Sequence, residues 1–596
     1  MGVTGAEAIV RVLEEAGVDV VFGLCGDTSL PFYDALARTG SLRHVLTRDE
    51  RSASFMADAY ARLSGRIGVC EGPSGGGATY IIPGVAEANG SSVPMVCLTS
   101  DVGVGDRGKG TLTEMDQQAL FSSLTRTAFA PSTAEEMEDM VRAAFREAMA
   151  DGLGACHVSL PLDLQCAMLD RGPERGRAPD GDGPRDGDST HGGSPAHGGS
   201  TSRGVGDGSR GSLNDRYPAV RPAPAPDDVT RAARILADAR RPVIVAGAGV
   251  IRSGAWSAVG ALSRALGAPV ATSICGKGAV AETDPLALGV VGSNGGLPWR
   301  HELLRQADVV FQVAGGTGSV TTEKWTLPAP GEARFVQLDV DAGRLGRSHA
   351  IDAALRCDAR TGLDAVTDAL VRNGAGGEGD RFDPEEIRAA KANHRARVAE
   401  LFASSDTPIR PERLFGALFD ALPDDSIILA DPGTPCPYVS AYWELRKPGR
   451  WFVSPRAFGA LGYALPAVVG AWHARPEAGR VVGVMGDGSF GISAGELETL
   501  VRLDVPATLI VCNNAGYGWI KAGQKSRGDR YYAVDFRRSD HAAIAEAYGM
   551  RARRVEDPEE LPVALRQALS HRGPFLLDVV TQPLEEANAP VSKWIA

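Results

Sequence analysis

The stretch Arg480–Asn514, RVVGVMGDGSFGISAGELETLVRLDVPATLIVCNN, decides how this chain is read. It opens with an apolar run, RVVGVM, that stops abruptly at Gly486-Asp487-Gly488, and it closes with a second run, ATLIVC, that stops at Asn513-Asn514. Between them SAGELETLVRL has helical character. Two apolar runs joined by a helix imply neighbouring parallel strands, which need such a crossover and are buried on both faces. Open parallel sheets place ligands beyond the carboxyl ends of their strands, so Asp487 and Asn514 are expected to meet at one spot. A carboxylate, an amide oxygen and a nearby backbone carbonyl make a hard-oxygen site that suits Mg²⁺, or Ca²⁺ less readily. The amides of Gly488 and Ser489, at the approach to a helix, can take further negative charge from phosphate. Either half alone is an ordinary turn. Together, with 24 residues between Gly488 and Asn513, they read as a clamp.

The rest of the chain repeats the same alternation. FMADAYARLSG reads as a helix, and RIGVCE and VPMVCLTS as strands. PVIVAGAG, APVATSI, ADVVFQVAG and ARFVQLDVD follow further on, then SIILAD and FLLDVV. The predicted fold is α/β with three domains, each a mainly parallel sheet flanked by helices. The expected boundaries are 1–169, a central Rossmann-like domain at 227–372, a connecting helix at 373–410, and 411–596. Residues 170–226 are built from Gly, Asp, Arg, Ser, His and Pro and read as a disordered linker, because such a segment buries too little apolar surface to offset its ordering entropy.

A length of 596 residues demands several cores. A net charge of −12 argues against nucleic-acid or anionic-membrane partners. The nine cysteines are scattered without a CxxC pair, which favours a reducing cytoplasmic setting. The first residues lack the basic start and continuous apolar core of a signal peptide, and no long charge-free run is present to span a bilayer.

The clamp carries a family resemblance. GDG, a spacer of this length and NN resemble the cofactor motif of thiamine diphosphate enzymes. The resemblance runs along nearly all of the chain outside the linker and looks closest to the acetolactate synthase branch, through VFGLCGDTSLPFYDAL, SSVPMVCLTS, GACHVSLPLDLQ, RPVIVAGAGV and ARFVQLDVDAGRLGR. It implies that Asp487 and Asn514 by side chain, and Gly516 by carbonyl, hold Mg²⁺. It adds Gly433 and Thr434 of ADPGTP, together with Gly488, Ser489 and Tyr517, as cofactor contacts. In PRAFGALGYALPA, Leu461 matches the bulky residue that folds the cofactor into a V, and Gly459 the carbonyl that anchors its amino group.

Thiamine chemistry also needs a shielded carboxylic acid beside the aminopyrimidine. Glu50 is chosen over Asp49 because the family's glutamate lies seven residues before its ADxYAR signature, which Ala57 opens here. Asp49 stands where the family has His, and Arg51 and Ser52 where it has Gln and Gly. Acid and clamp fall in different domains, so the resemblance implies a homodimer or homotetramer with shared sites. On the substrate side it points to Gly26, Glu114, Gln117 and Trp519. The family's substrate-gripping Trp is matched by Gly523, and VAGGTGSVTTEK lacks the Arg and acid pair of the FAD turn, which counts against FAD. The expected activity is decarboxylation of a pyruvate-like 2-oxo acid with transfer of the acyl-anion equivalent to a second carbonyl. Simple decarboxylation or C–C lysis is the rival, and a non-catalytic homologue the rival from another class.

Overall fold

The computed structural model describes residues 2–170, 216–374, 381–528, 530–587 and 589–594. The first sheet contains β1 (Val20–Gly23), β2 (Arg43–Leu46), β3 (Gly68–Gly72), β4 (Met95–Asp101), β5 (Thr127–Phe129) and β6 (Ala155–Pro161). The second contains β7 (Pro242–Ala246), β8 (Val270–Thr272), β9 (Ala287–Val290), β10 (Val309–Val313), β11 (Arg334–Asp339) and β12 (Ala353–Arg356). The third contains β13 (Ile427–Ala430), β14 (Phe452–Val453), β15 (Val481–Gly486), β16 (Ala507–Asn513), β17 (Arg551–Val555) and β18 (Phe575–Val580).

Every pairing within these three sheets is parallel, as the alternation of strands and helices predicts. The first and third sheets share one strand order, β2-β1-β3-β4-β6-β5 and β14-β13-β15-β16-β18-β17, whereas the middle sheet runs β9-β8-β7-β10-β11-β12. In the outer two the order reverses between the first and third strands, β1/β3 and β13/β15. Those reversals open crevices at the strands' carboxyl ends.

The outer domains are fused by one core. The helix Glu50–Ser64 crosses the helix Ala464–Ala474 so closely that a Cβ on Gly470 would lie 2.1 Å from the Met56 carbonyl oxygen. Phe55, Met56, Val468 and Leu500 belong to the same buried cluster. The helix Pro384–Phe402 connects the middle and third domains.

Part of the expected linker is structured. Tyr217 is buried, its hydroxyl donates to the Ala61 carbonyl at 2.6 Å, and Arg221 pairs with Asp358 at 2.9 Å. The reading of 216–225 as disordered is therefore corrected: one aromatic and one arginine find ready partners there despite the polar composition. Residues 171–215 lie outside the described residues. Among the described residues all nine cysteines are free, and no helix is long and apolar enough to cross a membrane.

Candidate active site

β15 and β16 are adjacent, with Gly486 opposite Cys512, so Asp487 and Asn514 leave the sheet side by side. The chain enters a helix at once, Asp487–Ser493, rather than after a longer turn as the sequence suggested. Gly488 and Ser489 thus occupy its first turn, where backbone N–H groups have no intrahelical partner. Asp487 is 6% exposed, and Oδ1 accepts from the Gly488 N–H at 2.8 Å. Burial pushes its carboxyl up to about 6, against the pull of backbone donors at Gly488, Ala515 and Gly516.

The two asparagines divide their work. Asn513 is buried, and its amide donates to Asp578 at 2.9 Å and to the Ser539 carbonyl at 3.0 Å. Asn514 is half-buried and lines a cavity of about 380 Å³ together with Asp487 and Gly516. Ala515, held at φ +57°, turns the chain back behind them. A Cβ on Gly488 would lie 2.6 Å from the Tyr517 ring, so only glycine lets that ring cover the turn.

Gly433, Thr434, Gly459, Leu461, Ser489 and Tyr517 face the same cavity, as does Trp519, which meets Trp594 edge-on at 4.7 Å. Asp431, at the exit of β13, holds these pieces in register. It accepts the Ser489 hydroxyl at 2.5 Å and the N–H groups of Tyr463 and Ala464 at 2.9 and 3.1 Å. Burial pushes it up to about 7. The Ser489 hydroxyl also accepts from the Gly462 N–H at 2.7 Å, so it is spent on the scaffold and only its main chain is free for a ligand.

Among the described residues no three His, Cys, Asp or Glu side chains cluster as a metal cage. The clamp has one carboxylate, one amide and one carbonyl. That set fits Mg²⁺ shared with ligand phosphates, which keeps few protein ligands, better than a metal held by protein alone.

Glu50 begins its helix and is 7% exposed. Asp49 is the N-cap: it accepts from the Arg51 N–H at 2.8 Å and pairs with the Arg51 side chain at 2.7 Å. Of the two neighbours, Glu50 is therefore the uncommitted acid. Its side chain lies against Gly72 and Gly77, where a Cβ on Gly77 would be 3.1 Å from Oε1. Burial raises its proton affinity, and Asp49 adds to the effect. Gly26 packs on Pro73 of the same crescent, its missing Cβ only 2.5 Å from the proline ring.

Sequence reasoning missed Glu71, one residue before Gly72. It is fully buried, Oε2 accepts from the Tyr33 hydroxyl at 2.7 Å, and Oε1 has no partner. Burial pushes it up to about 8, with Glu50 adding. An acid inside the apolar run RIGVCEG was the available signal.

Gln117 is 2% exposed, its amide bonded to the Thr99 hydroxyl at 2.5 Å and to the Ser100 carbonyl at 2.8 Å. With Glu114 it lines a cleft of about 560 Å³ beside Asp101 and Arg107, apart from the clamp cavity. Glu114 is surface-lying and accepts the N–H groups of Gly110 and Thr111 at 3.1 and 3.2 Å, closing its own loop. The segment proposed to replace the FAD turn forms one wall of a different cleft of about 540 Å³, where Gly315–Gly318 face Arg252, Arg344 and Arg456.

No described residue before Asn294 lines the clamp cavity. Glu50 is therefore not among the residues that line the clamp cavity of its own chain.

Family models match the chain in three parts. Residues 3–120 match the N-terminal TPP-binding domain of thiamine pyrophosphate enzymes, 229–366 the central domain, and 431–579 the C-terminal TPP-binding domain. A probable acetolactate synthase large subunit of Methanocaldococcus jannaschii is 31% identical, over 98% of this chain and 92% of that protein. A probable 2-ketoarginine decarboxylase of Pseudomonas aeruginosa is 32% identical, over 97% of this chain and 94% of that protein. A sulfoacetaldehyde acetyltransferase of Rhodobacter capsulatus is 29% identical, over 99% and 98%.

Proposed function

We propose that this chain, which belongs to the thiamine pyrophosphate enzyme family, is a Mg²⁺-dependent carboligase of the acetolactate synthase kind. It decarboxylates a pyruvate-like 2-oxo acid and passes the acyl-anion equivalent to a second carbonyl. The observation that carries the reading is the single cavity in which Asp487, Asn514 and Gly516 stand together with Gly433, Leu461 and the first turn of the Asp487 helix. Bound thiamine diphosphate supplies the electron sink that allows a carbon–carbon bond beside a carbonyl to break.

The chain's own residues do the rest. Asp487 and Asn514 by side chain and Gly516 by its carbonyl would hold Mg²⁺, while the main chain of the Asp487 helix's first turn at Gly488 and Ser489 faces the diphosphate. Leu461 supports the cofactor's bend, with the Gly459 carbonyl beside it. Glu50 holds and returns a proton at the pyrimidine, a task for which a buried acid with raised proton affinity is suited. Because Glu50 does not line the clamp cavity of its own chain, a second copy supplies the acid, and the working unit is a homodimer or a larger homo-oligomer.

Simple decarboxylation is a second reading, favoured by the relative named as a probable 2-ketoarginine decarboxylase. Incubation of the protein with Mg²⁺, thiamine diphosphate and either pyruvate or 2-ketoarginine separates the two. Carboligation yields an acyloin or acetohydroxy acid from pyruvate. Aldehyde and CO₂ alone, from either acid, defeat it.

A further inference from the structure

Leu461 sits in a segment, 454–463, that has no helix or strand to fix it. Its main-chain donors must be satisfied by something else. That partner is Glu87, in the helix Ile82–Gly90 of the first domain. Its side chain is 0% exposed. Oε1 accepts from the N–H groups of Arg456 at 2.9 Å and Ala457 at 3.1 Å, and Oε2 from those of Ala457 at 3.1 Å and Phe458 at 2.8 Å. Ser91 Oγ at 2.8 Å and Arg62 Nη2 at 3.2 Å complete the set on Oε1. Gly90 lets the segment press on this helix, since a Cβ there would meet the Ala457 methyl at 2.8 Å.

The other end of the segment is pinned as firmly. Arg62 Nε donates to Asp58 at 2.7 Å, and the same carboxylate oxygen accepts the Tyr463 hydroxyl at 2.6 Å. Asp431 holds the Tyr463 N–H. Between the pins at Phe458 and Tyr463 lie only Gly459, Ala460, Leu461 and Gly462, the last of which also donates its N–H to Ser489 Oγ at 2.7 Å. The two glycines take φ +67° and +82°, conformations that let a short chain arch. The height of Leu461 above the cavity floor is therefore set by where the pins stand.

We propose that Glu87, braced by Arg62, is a positioning residue that presets the Leu461 arch against which the cofactor bends. The proposal rests on the cofactor reading above. Charge-assisted bonds to main-chain N–H groups are strong and directional, so a carboxylate suits the task. In Glu87→Gln one acceptor oxygen becomes an NH₂ group facing N–H donors, which leaves donors unpaired and frees the arch.

The test uses the full chain with Mg²⁺ and thiamine diphosphate, without substrate. Exchange of the cofactor's C2 proton for deuterium is followed by acid quench and NMR, and cofactor uptake by tryptophan fluorescence. We expect Glu87→Gln and Leu461→Ala each to slow exchange tenfold or more, and the double variant to be no slower than the slower single one. Ser91→Ala, which removes one donor and leaves the carboxylate in place, slows exchange two- to threefold with unchanged thermal unfolding of the cofactor-free protein.

Exchange at the wild-type rate in Glu87→Gln, or losses that multiply in the double variant, overturns the proposal. If Glu87→Gln does not fold, wild-type exchange in both Ser91→Ala and Arg62→Lys overturns it. Failure of the cofactor reading looks different: the wild-type protein takes up no thiamine diphosphate, or Leu461→Ala leaves exchange untouched.

Discussion

Removing the charge from Asp487 should stabilise the ligand-free protein while abolishing its response to the cofactor. The carboxyl is 6% exposed, and burial moves it from 3.8 to about 6. A rise of about two units corresponds to ~3 kcal/mol of preference for the neutral form. The folded-state value lies above the unfolded one, so this acid's favourable contribution is complete below about pH 4. It is lost as pH rises through about 6. At neutral pH the folded chain holds an ionised carboxylate at a cost of up to ~3 kcal/mol. Asp487→Asn keeps the shape and the acceptor oxygen for the Gly488 N–H, and it does not titrate.

Without Mg²⁺ and thiamine diphosphate, Asp487→Asn is expected to be more stable than wild type at pH 7.5, by up to ~3 kcal/mol, with the gap closing toward pH 4.5. With the ligands at about 1,000 times their Kd, wild type gains about 4.1 kcal/mol and the variant does not, so the order inverts. Urea unfolding followed by tryptophan fluorescence at the two pH values, with and without ligands, measures all four differences. A ligand-free variant less stable than wild type at pH 7.5, or a gap that does not shrink at pH 4.5, refutes the reasoning.

Three further outcomes are expected. Glu50→Gln leaves thiamine diphosphate affinity nearly unchanged but lowers C2 exchange and turnover by roughly 10²–10⁴-fold, the usual contribution of a positioned acid–base group. Glu71, pushed up to about 8 by burial, is mostly protonated at pH 7. Its favourable contribution is complete below about pH 4.5 and is lost as pH rises from there through about 8. Glu71→Gln therefore matches wild-type stability near pH 4.5 and is the more stable at pH 7 and pH 9, as urea midpoints will report. Gly470→Ala drives a methyl to within 2.1 Å of the Met56 carbonyl and lowers stability by about 1–3 kcal/mol in the same assay.

How much of this was legible depends on burial. The central strands announced themselves because both faces are covered: VVGVMG and ATLIVCN are continuous apolar runs. The edge strands did not. RHVL at β2 and RARRV at β17 carry exposed or half-exposed arginines and histidine, so their sequences look like loops. The helix start at Asp487 was placed too late because Gly-Asp-Gly suggests a turn, whereas tertiary packing lets glycine begin a helix. The meeting of Asp487 and Asn514 was legible because both follow continuous apolar runs that turn out to be neighbouring parallel strands. Glu87 was not, since nothing in GVAEANG reveals that its carboxylate would be spent on N–H groups some 370 positions later.

That contrast bears on how the two half-sites are tied together. The helix Glu50–Ser64 sets its first residue against Gly72 and Gly77 of the first domain, and further along it carries Asp58 and Arg62, which brace the Leu461 arch of its own chain. If a second copy supplies the acid to each clamp, as proposed, this helix touches two different active sites. Glu50 serves the partner's cofactor, and Asp58 and Arg62 shape the seat of its own. The helix is almost wholly buried, and Gly84 and Gly470 admit their neighbours against its backbone. It has little room to adjust at one end alone. Any displacement that Glu50 undergoes would be carried along a rigid element to the other arch. In such a dimer the acid and the arch are two ends of one helix, and neither end is free to move without the other.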